Sequence, residues 1–389
     1  MVQFQAPYAP EELGYDSSRI EVLNRFLQKQ VDKKMLIGSS YALTIEGKLF
    51  AAGAVGKICY RASDKRPLKP DTIFRIASVT KLFAAVSVFK LVEDGLCRLD
   101  EPMKDYLPEM DTADFAAVTI AQVLSHTGGI PVDPGVYGEN KPGRWALIEK
   151  EFENGGTDWI GAVLRQGREA EPNTRWEYSS FGYMLLGELI GRVSGVKAER
   201  YIEENILKPC GMSDSGFGDT IMKLPGIAGR IFIHDKEMWD RIKNPEKEEA
   251  SSPWDALPQT GGGMFSTVLD LVKFGNMLLN GGRLDGNRVL GRKAVEKMTA
   301  AYTKPHIQNF CWGAGGVYKR YGLGPDMQFA DESLNSNGMY YHEGWGRCYM
   351  HMDPAERLVS AGFTPFVDTN LWDSVIVNNP QAIICSGLM

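Results

Sequence analysis

The chain has 389 residues, 43% of them hydrophobic and 24% charged, which is the balance of a folded globular protein rather than a disordered or fibrous one. A formal charge of −6 without a basic stripe argues against a nucleic-acid partner, because nothing is there to neutralise phosphates. No apolar run approaches the ~18 residues needed to span a bilayer, so no membrane partner is expected.

In chain order, residues 1–12 are polar and lack a signal-peptide core. Residues 18–33 read as an amphipathic helix with Ile20, Leu23, Leu27 and Val31 on one face and Ser18 with Glu21 as a capping box. A hairpin follows, with strands over 40–45 and 49–55 around a Glu46-Gly47 turn. Ile73, Phe74 and Ile76 make a strand-like run. A long helix over 79–93 comes next, with Leu82, Val86, Phe89, Leu91 and Val92 at helical spacing and Gly95 as its stop.

Residues 100–216 are helix-rich and punctuated by Gly and Pro. The stretch 216–260, with dense charge over 235–250 and exposed-looking Trp239 and Trp254, suits a surface excursion or a lid over a cleft. Helix resumes over 270–279, and strands return over 347–352 and 357–363 around Asp353-Pro354. Strands at both ends with helices between predict an α+β fold: one antiparallel sheet flanked by helices, with a helical insertion. The expected organisation is a single domain over 1–389, its α/β part near 15–95 and 260–389 and its helix-rich part near 96–259.

The pattern S-x-x-K occurs at Ser78–Lys81, Ser87–Lys90 and Ser194–Lys197, so the string alone decides nothing. Only Ser78 follows a strand and opens a helix, where free N–H groups can face an oxyanion. Lys81 lies nearly one turn on, on the same face, within reach of the Ser78 hydroxyl as its base. Ser87 falls in mid-helix and Ser194 at a helix end, where carbonyls are presented instead. The bland alternative for Ser78 is a helix cap beside a surface lysine. Tyr178, just ahead of an apolar helix over 184–193, could exchange a proton with a leaving group if a nearby ammonium lowers its pKa. In Tyr341-His342-Glu343-Gly344-Trp345-Gly346 the glycines permit close approach to backbone, and the Trp345 N–H is a candidate oxyanion donor.

The order S-x-x-K, then Y-S-x, then H-x-G resembles the serine β-lactamase and penicillin-recognising superfamily, most closely its class C branch of esterases, acyltransferases and D-aminopeptidases. Residues 118–129 are similar to that branch's "TI-x-x-LLSHTSG" segment, 176–195 to "W-x-YSN-x-GY-x-LLG…VSG", 201–218 to "I…PLGM-x-x-T-x-F" and 261–279 to "GG-x-x-ST-x-x-DL-x-x-F". The resemblance covers roughly 15–365 and implies a β-lactamase/transpeptidase-like fold and acyl-enzyme chemistry. It implies Ser78 as nucleophile, Lys81 as base and Tyr178 as acid/base partner. It also implies the N–H groups of Ser78 and Trp345 as the oxyanion hole, with Ser180, His342, Glu343 and Gly344 lining the substrate. His126 falls in a segment read as structural.

Two departures bear on substrate. Ser180 stands where Y-x-N has Asn, and His342-Glu343-Gly344 replaces K-T-G. A largely neutral imidazole and a carboxylate do not suit a drug's carboxylate, and Glu343 either repels an anion at the cleft or pairs with Arg347. Together they favour a carboxylic ester, then a D-amino-acid amide or peptide, then weak β-lactam turnover, with a non-catalytic ligand-binding member as the reading of another class. The six cysteines (Cys59, Cys97, Cys210, Cys311, Cys348, Cys385) lack C-x-x-C or paired spacing and read as reduced, mostly buried thiols. Those thiols and the polar N-terminus point to the cytoplasm, although a chain trimmed of a leader reads the same. The five histidines lack metal-site spacing and no phosphate loop occurs, so no cofactor is expected.

Overall fold

The structure, a computed structural model, describes residues 2–133, 143–243, 253–327, 333–346, 348–365 and 378–389. Its centre is a seven-stranded antiparallel sheet. The strands are β1 (Val2–Gln3), β2 (Gly38–Ile45), β3 (Lys48–Gly56), β4 (Asp326–Met327), β5 (Tyr340–Gly344), β6 (Cys348–Asp353) and β7 (Leu358–Phe363). Their order across the sheet is β1-β3-β2-β7-β6-β5-β4. N- and C-terminal segments therefore close one sheet, β7 pairing with β2 in the register Val359↔Thr44. The β2–β3 turn holds Glu46 at φ 51 and Gly47 at φ 80, the left-handed pair a two-residue hairpin needs. Both faces of the sheet are covered, and β2, β6 and β7 are buried along their whole length.

The helices that position the site are α1 (Ser18–Asp32), α2 (Thr80–Glu93), α3 (Ile120–Leu124), α4 (Arg144–Glu153), α5 (Ser180–Ser194), α6 (Val268–Leu279) and α7 (Asn379–Cys385). On the outer face Leu23, Leu27, Tyr41, Leu43, Phe50, Leu358 and Ile384 make a core between the sheet and helices α1 and α7. On the inner face lies the larger core, where Phe83 of α2 stacks on Phe274 of α6 with ring centroids 3.9 Å apart. Each such aromatic or aliphatic side chain contributes about 1.5–3 kcal/mol by leaving water. The α2 helix is apolar almost all round, with Thr80 through Phe89 and Leu91 buried. A helix of that kind belongs in the middle of a protein.

The α1 start departs from expectation. Ser17 is its N-cap without a side-chain bond, and the Asp16 carboxylate instead accepts from the Ser18 N–H at 2.9 Å. An anion at a helix N-terminus outcompetes a hydroxyl there, and Glu21 turns to Arg25 one turn on. The 216–260 stretch is less of a surface lid than its charge suggests. Ile231, Phe232 and Ile233 enter the inner core, and Ile231 and Ile233 bridge to Ile73 and Cys59. Trp254 is half-buried against Trp145 and Phe152. The residues 244–252 and the Trp239 side chain lie outside those described. All six cysteines are buried and none is in a disulfide, as read from their spacing. Among the described residues no helix is long and apolar enough to cross a membrane.

A buried polar network ties α7 to the sheet: Gln381 Oε1 meets His351 Nδ1 at 2.8 Å and accepts from Ser360 Oγ at 2.8 Å. Burial lowers the His351 pKa to about 4, partly opposed by the Gln381 bond. The unfolded chain takes up that proton near pH 6.5, so stability is lost as pH falls from about 6.5 toward 4, on the order of 2 kcal/mol by pH 5. Thermal melts from pH 7 to 5 should fall, and His351→Asn should start lower at pH 7 yet decline less steeply. An equal slope in both proteins would contradict the assignment.

Candidate active site

The Ser78 turn joins the sheet to the buried helix. Ala77–Val79 form a 3-10 turn leading into α2, and Ala77 sits at φ 44, a left-handed conformation that costs an L-residue roughly 1–2 kcal/mol. Strain of this kind is characteristic of functional positions. Ser78 is half-buried. Lys81, fully buried, reaches three oxygens with its Nζ: Ser78 Oγ at 2.9 Å, Ser180 Oγ at 3.0 Å and the Gly261 carbonyl at 2.7 Å. A Cβ on Gly261 would come within 2.8 Å of the Ser180 carbonyl oxygen, so glycine lets these two segments close around the amine. The other two S-x-x-K serines are elsewhere. Buried Ser87 donates to the Phe83 carbonyl, and Ser194 ends α5 before left-handed Gly195.

The second segment is built by caps. Ser179 accepts from the Gly182 N–H as N-cap of α5, donates to the Pro131 carbonyl, and gives its own N–H to His126 Nδ1. His126 is thus a structural histidine, buried under the Tyr178 ring with centroids 4.6 Å apart. Tyr178 lies beside Lys81, whose Nζ is 4.8 Å from its ring centroid. Ser180, the first residue of α5, donates to Asp133 Oδ2 at 2.6 Å, and its N–H bonds Oδ1 at 3.0 Å. Arg144, at the start of α4, donates to the same Oδ1 at 2.5 Å.

The third segment is β5 and the turn after it. A Cβ on Gly344 would stand 2.3 Å from the Ile76 carbonyl oxygen and 3.2 Å from Ala77 Cβ, so only glycine lets the strand press on the Ser78 turn. Cys348 donates to the same Ile76 carbonyl at 2.7 Å. The turn then carries Trp345, 71% exposed, beside this contact. His342 shares the Gly344 face and lies 6.4 Å from the Tyr178 ring between centroids. Its Nδ1–H bonds the Glu343 carbonyl at 2.8 Å, so its buried Nε2 is an acceptor, without a hydrogen-bond partner among the described residues. Strand alternation sends the Glu343 side chain to the opposite face from His342 and Gly344. Arg347, the partner considered for Glu343, is outside the described residues.

Burial sets the electrostatics. Loss of hydration lowers the Lys81 pKa to about 7, with Asp133 pulling it up and Arg144 pushing it down. The Tyr178 phenol is pushed well above its ordinary value, again by burial, with a hydrogen bond to Ser78 acting the other way. The expected ammonium-lowered tyrosine is therefore absent; Tyr178 rests as a neutral phenol. His342 is lowered to about 3 by burial and by Lys81, so it is neutral at pH 7. The arrangement offers a hydroxyl in contact with an amine whose pKa is about 7, beside a neutral phenol.

Three parts escaped the sequence reading: Asp133, Arg144, and Trp312. Trp312 is 60% exposed at φ 52, its ring centroid 5.2 Å from that of Tyr178. None sits in a periodic or motif context. The family model described as Beta-lactamase matches residues 23–369, so the chain belongs to the beta-lactamase family of serine hydrolases. The Mycobacterium tuberculosis protein Rv1367c is 28% identical over 339 residues, which are 82% of this chain and 81% of that protein. An octameric penicillin-binding protein homologue from Pyrococcus abyssi superposes with TM-score 0.68 at 26% identity, over 95% of this chain and 76% of that one. A family VIII carboxylesterase shares the fold with TM-score 0.70 at 23% identity, over 96% and 98%.

The packing at Gly344 has a direct consequence. Gly344→Ala must displace backbone at Ile76, lowering stability by about 1–3 kcal/mol and uncoupling the Ser78 turn from β5. Activity should fall further than the melting temperature alone accounts for, read as turnover at a temperature where the variant is fully folded. Wild-type turnover in a folded Gly344→Ala protein would refute this role.

Proposed function

We propose that the chain is a serine hydrolase working through an acyl-enzyme on carboxylic esters. The observation that carries this is the 2.9 Å contact between Ser78 Oγ and a buried Lys81 amine whose pKa is about 7. Near pH 7 that amine is substantially neutral and takes the Ser78 proton as the oxygen attacks the ester carbonyl. The N–H groups of Ser78 and Trp345 would hold the oxyanion, each such donor being worth about 10²–10³ in rate. Collapse expels an alkoxide, to which Tyr178 gives its proton while recovering one from the Lys81 ammonium. A water then enters and passes a proton through Tyr178 to the Lys81 amine as its oxygen bonds the acyl carbon; collapse breaks the acyl–Ser78 bond, and Ser78 Oγ takes its proton back from the Lys81 ammonium.

The neutral His342 supports an ester over a substrate bearing a carboxylate, since it stands where K-T-G has a cation. D-amino-acid amides or peptides are the second reading, favoured by the likeness to a penicillin-binding homologue; weak β-lactam turnover and acyl transfer to an alcohol would use the same residues. A binding module of the same fold has no use for a desolvated lysine against a serine, which counts against the non-catalytic reading. Neither metal nor nucleotide enters any step.

Wild type should hydrolyse p-nitrophenyl butyrate faster than nitrocefin or D-alanine p-nitroanilide. Ser78→Ala should lose at least ~10³-fold in rate, and Tyr178→Phe roughly 10²–10⁴-fold, both with unchanged circular dichroism. Unchanged turnover in Ser78→Ala would sink the proposal, and faster nitrocefin cleavage would overturn the ester preference. Because the base is the neutral amine, kcat/KM should rise with pH through a midpoint near 7; a flat profile from pH 5 to 9 would contradict it.

A further inference from the structure

We propose that Asp133 is a positioning residue for Lys81, acting through the Ser180 hydroxyl so that Ser180 and Asp133 together do the work of an asparagine side chain. The inference rests on the acyl-enzyme reading of Ser78 and Lys81. A neutral amine has two N–H donors and one lone pair, and catalysis requires that lone pair to face the Ser78 proton. Of the three oxygens around Nζ, the Gly261 carbonyl at 2.7 Å can only accept. A serine hydroxyl, unlike an amide oxygen, can accept or donate. If Ser180 donated to Lys81 it would occupy the lone pair and leave Ser78 without a base.

Asp133 removes that ambiguity. Its Oδ2 receives the single Ser180 proton at 2.6 Å, so the Ser180 oxygen has only lone pairs to offer Lys81 at 3.0 Å. Its Oδ1 is held by the Ser180 N–H at 3.0 Å and by Arg144 at 2.5 Å, which fixes the carboxylate plane. Both N–H donors of Lys81 then go to Gly261 and Ser180, and the lone pair is left for Ser78.

The charged and titratable groups facing Lys81 are few among the described residues. Asp133 raises its pKa and Arg144 lowers it, the Tyr178 and Tyr183 rings lie 4.8 and 5.6 Å from Nζ, and the neighbouring His126 and His342 are neutral. Asp133 is therefore also the anion that keeps the amine from becoming weaker still.

The test uses the full chain with Asp133→Ala, Asp133→Asn, Ser180→Ala, Asp133→Ala/Ser180→Ala and Asp133→Ala/Ser180→Asn, each checked for folding by thermal melt. In Asp133→Ala, kcat with p-nitrophenyl butyrate should fall by up to about 10²-fold. The acidic limb of kcat/KM should move down by about one unit as the anion is lost. The losses from Asp133→Ala and Ser180→Ala should be strongly non-additive when combined. Ser180→Asn in the Asp133→Ala background should restore rate, because an amide oxygen cannot donate.

If Asp133→Ala fails to fold, the isosteric Asp133→Asn carries the same downward limb. Nitrogen NMR of 15N-lysine protein, with the Lys81 signal assigned by Lys81→Gln, reads the same shift without any substrate. Failure of the ester reading is thereby separable from failure here. An unmoved Lys81 pKa, additive losses and no rescue by asparagine would overturn the proposal.

Discussion

A primary amine held out of water is the constraint on which the rest of this site depends. Lys81 projects from the mostly apolar, buried helix α2 and is itself fully buried. Its pKa of about 7, against an ordinary value near 10.5, corresponds to roughly 5 kcal/mol of preference for the neutral form. The fold supports that cost because α2 is wedged between the sheet side of the core and α5, where any side chain on its inner face must be desolvated. Three oxygens from three separate segments then converge on the amine: one from its own helix turn, one from the start of α5 and one from the loop before α6. Of the three, only Ser78 is near Lys81 in sequence, the other two lying 99 and 180 residues away, so the site exists only in the folded chain.

Convergence at that density requires backbone to approach backbone. Gly344 lets β5 touch the Ser78 turn at Ile76 and Ala77, and Gly261 lets its loop touch α5 at Ser180. Ala77, held left-handed between these contacts, is where the local strain collects. The long-range order of the sheet serves the same end. By joining the β2–β3 hairpin to β5, β6 and β7, it brings residues 340–345 against a turn more than 260 positions earlier. Assembly of the site and closure of the sheet are therefore one structural problem here.

Strands β2, β3, β6 and β7 were legible in the sequence because period and turn chemistry agree: Glu46-Gly47 can only turn, and the segments beside it alternate or run apolar; the two-residue edge strands β1 and β4 are too short to leave a period. The α2 helix was legible for the same reason, and Ser78 with Lys81 followed from helical geometry. The family resemblance located Tyr178 and the third motif. What was not legible is side-chain business between distant segments. Asp133 has no periodicity, cap or motif to mark it, and its meaning appears only when Ser180 stands 2.6 Å away. The Ser18 capping box was a plausible local pattern that lost to a carboxylate two residues earlier. The 216–260 stretch misled because its charge outweighed three apolar residues, Ile231 to Ile233, that fasten it to the core. Glu343 was weighed as a cleft residue, whereas strand alternation turns it from the Tyr178 side.

The most direct test of the central claim is mass spectrometry of the protein quenched at short times after mixing with an activated ester across pH 5 to 9. The account predicts a single acyl group on the peptide containing Ser78, formed at a rate that rises through a midpoint near pH 7 and that collapses in Lys81→Met. An adduct on another residue, or one formed as fast without Lys81, would contradict a buried neutral amine as the base for Ser78.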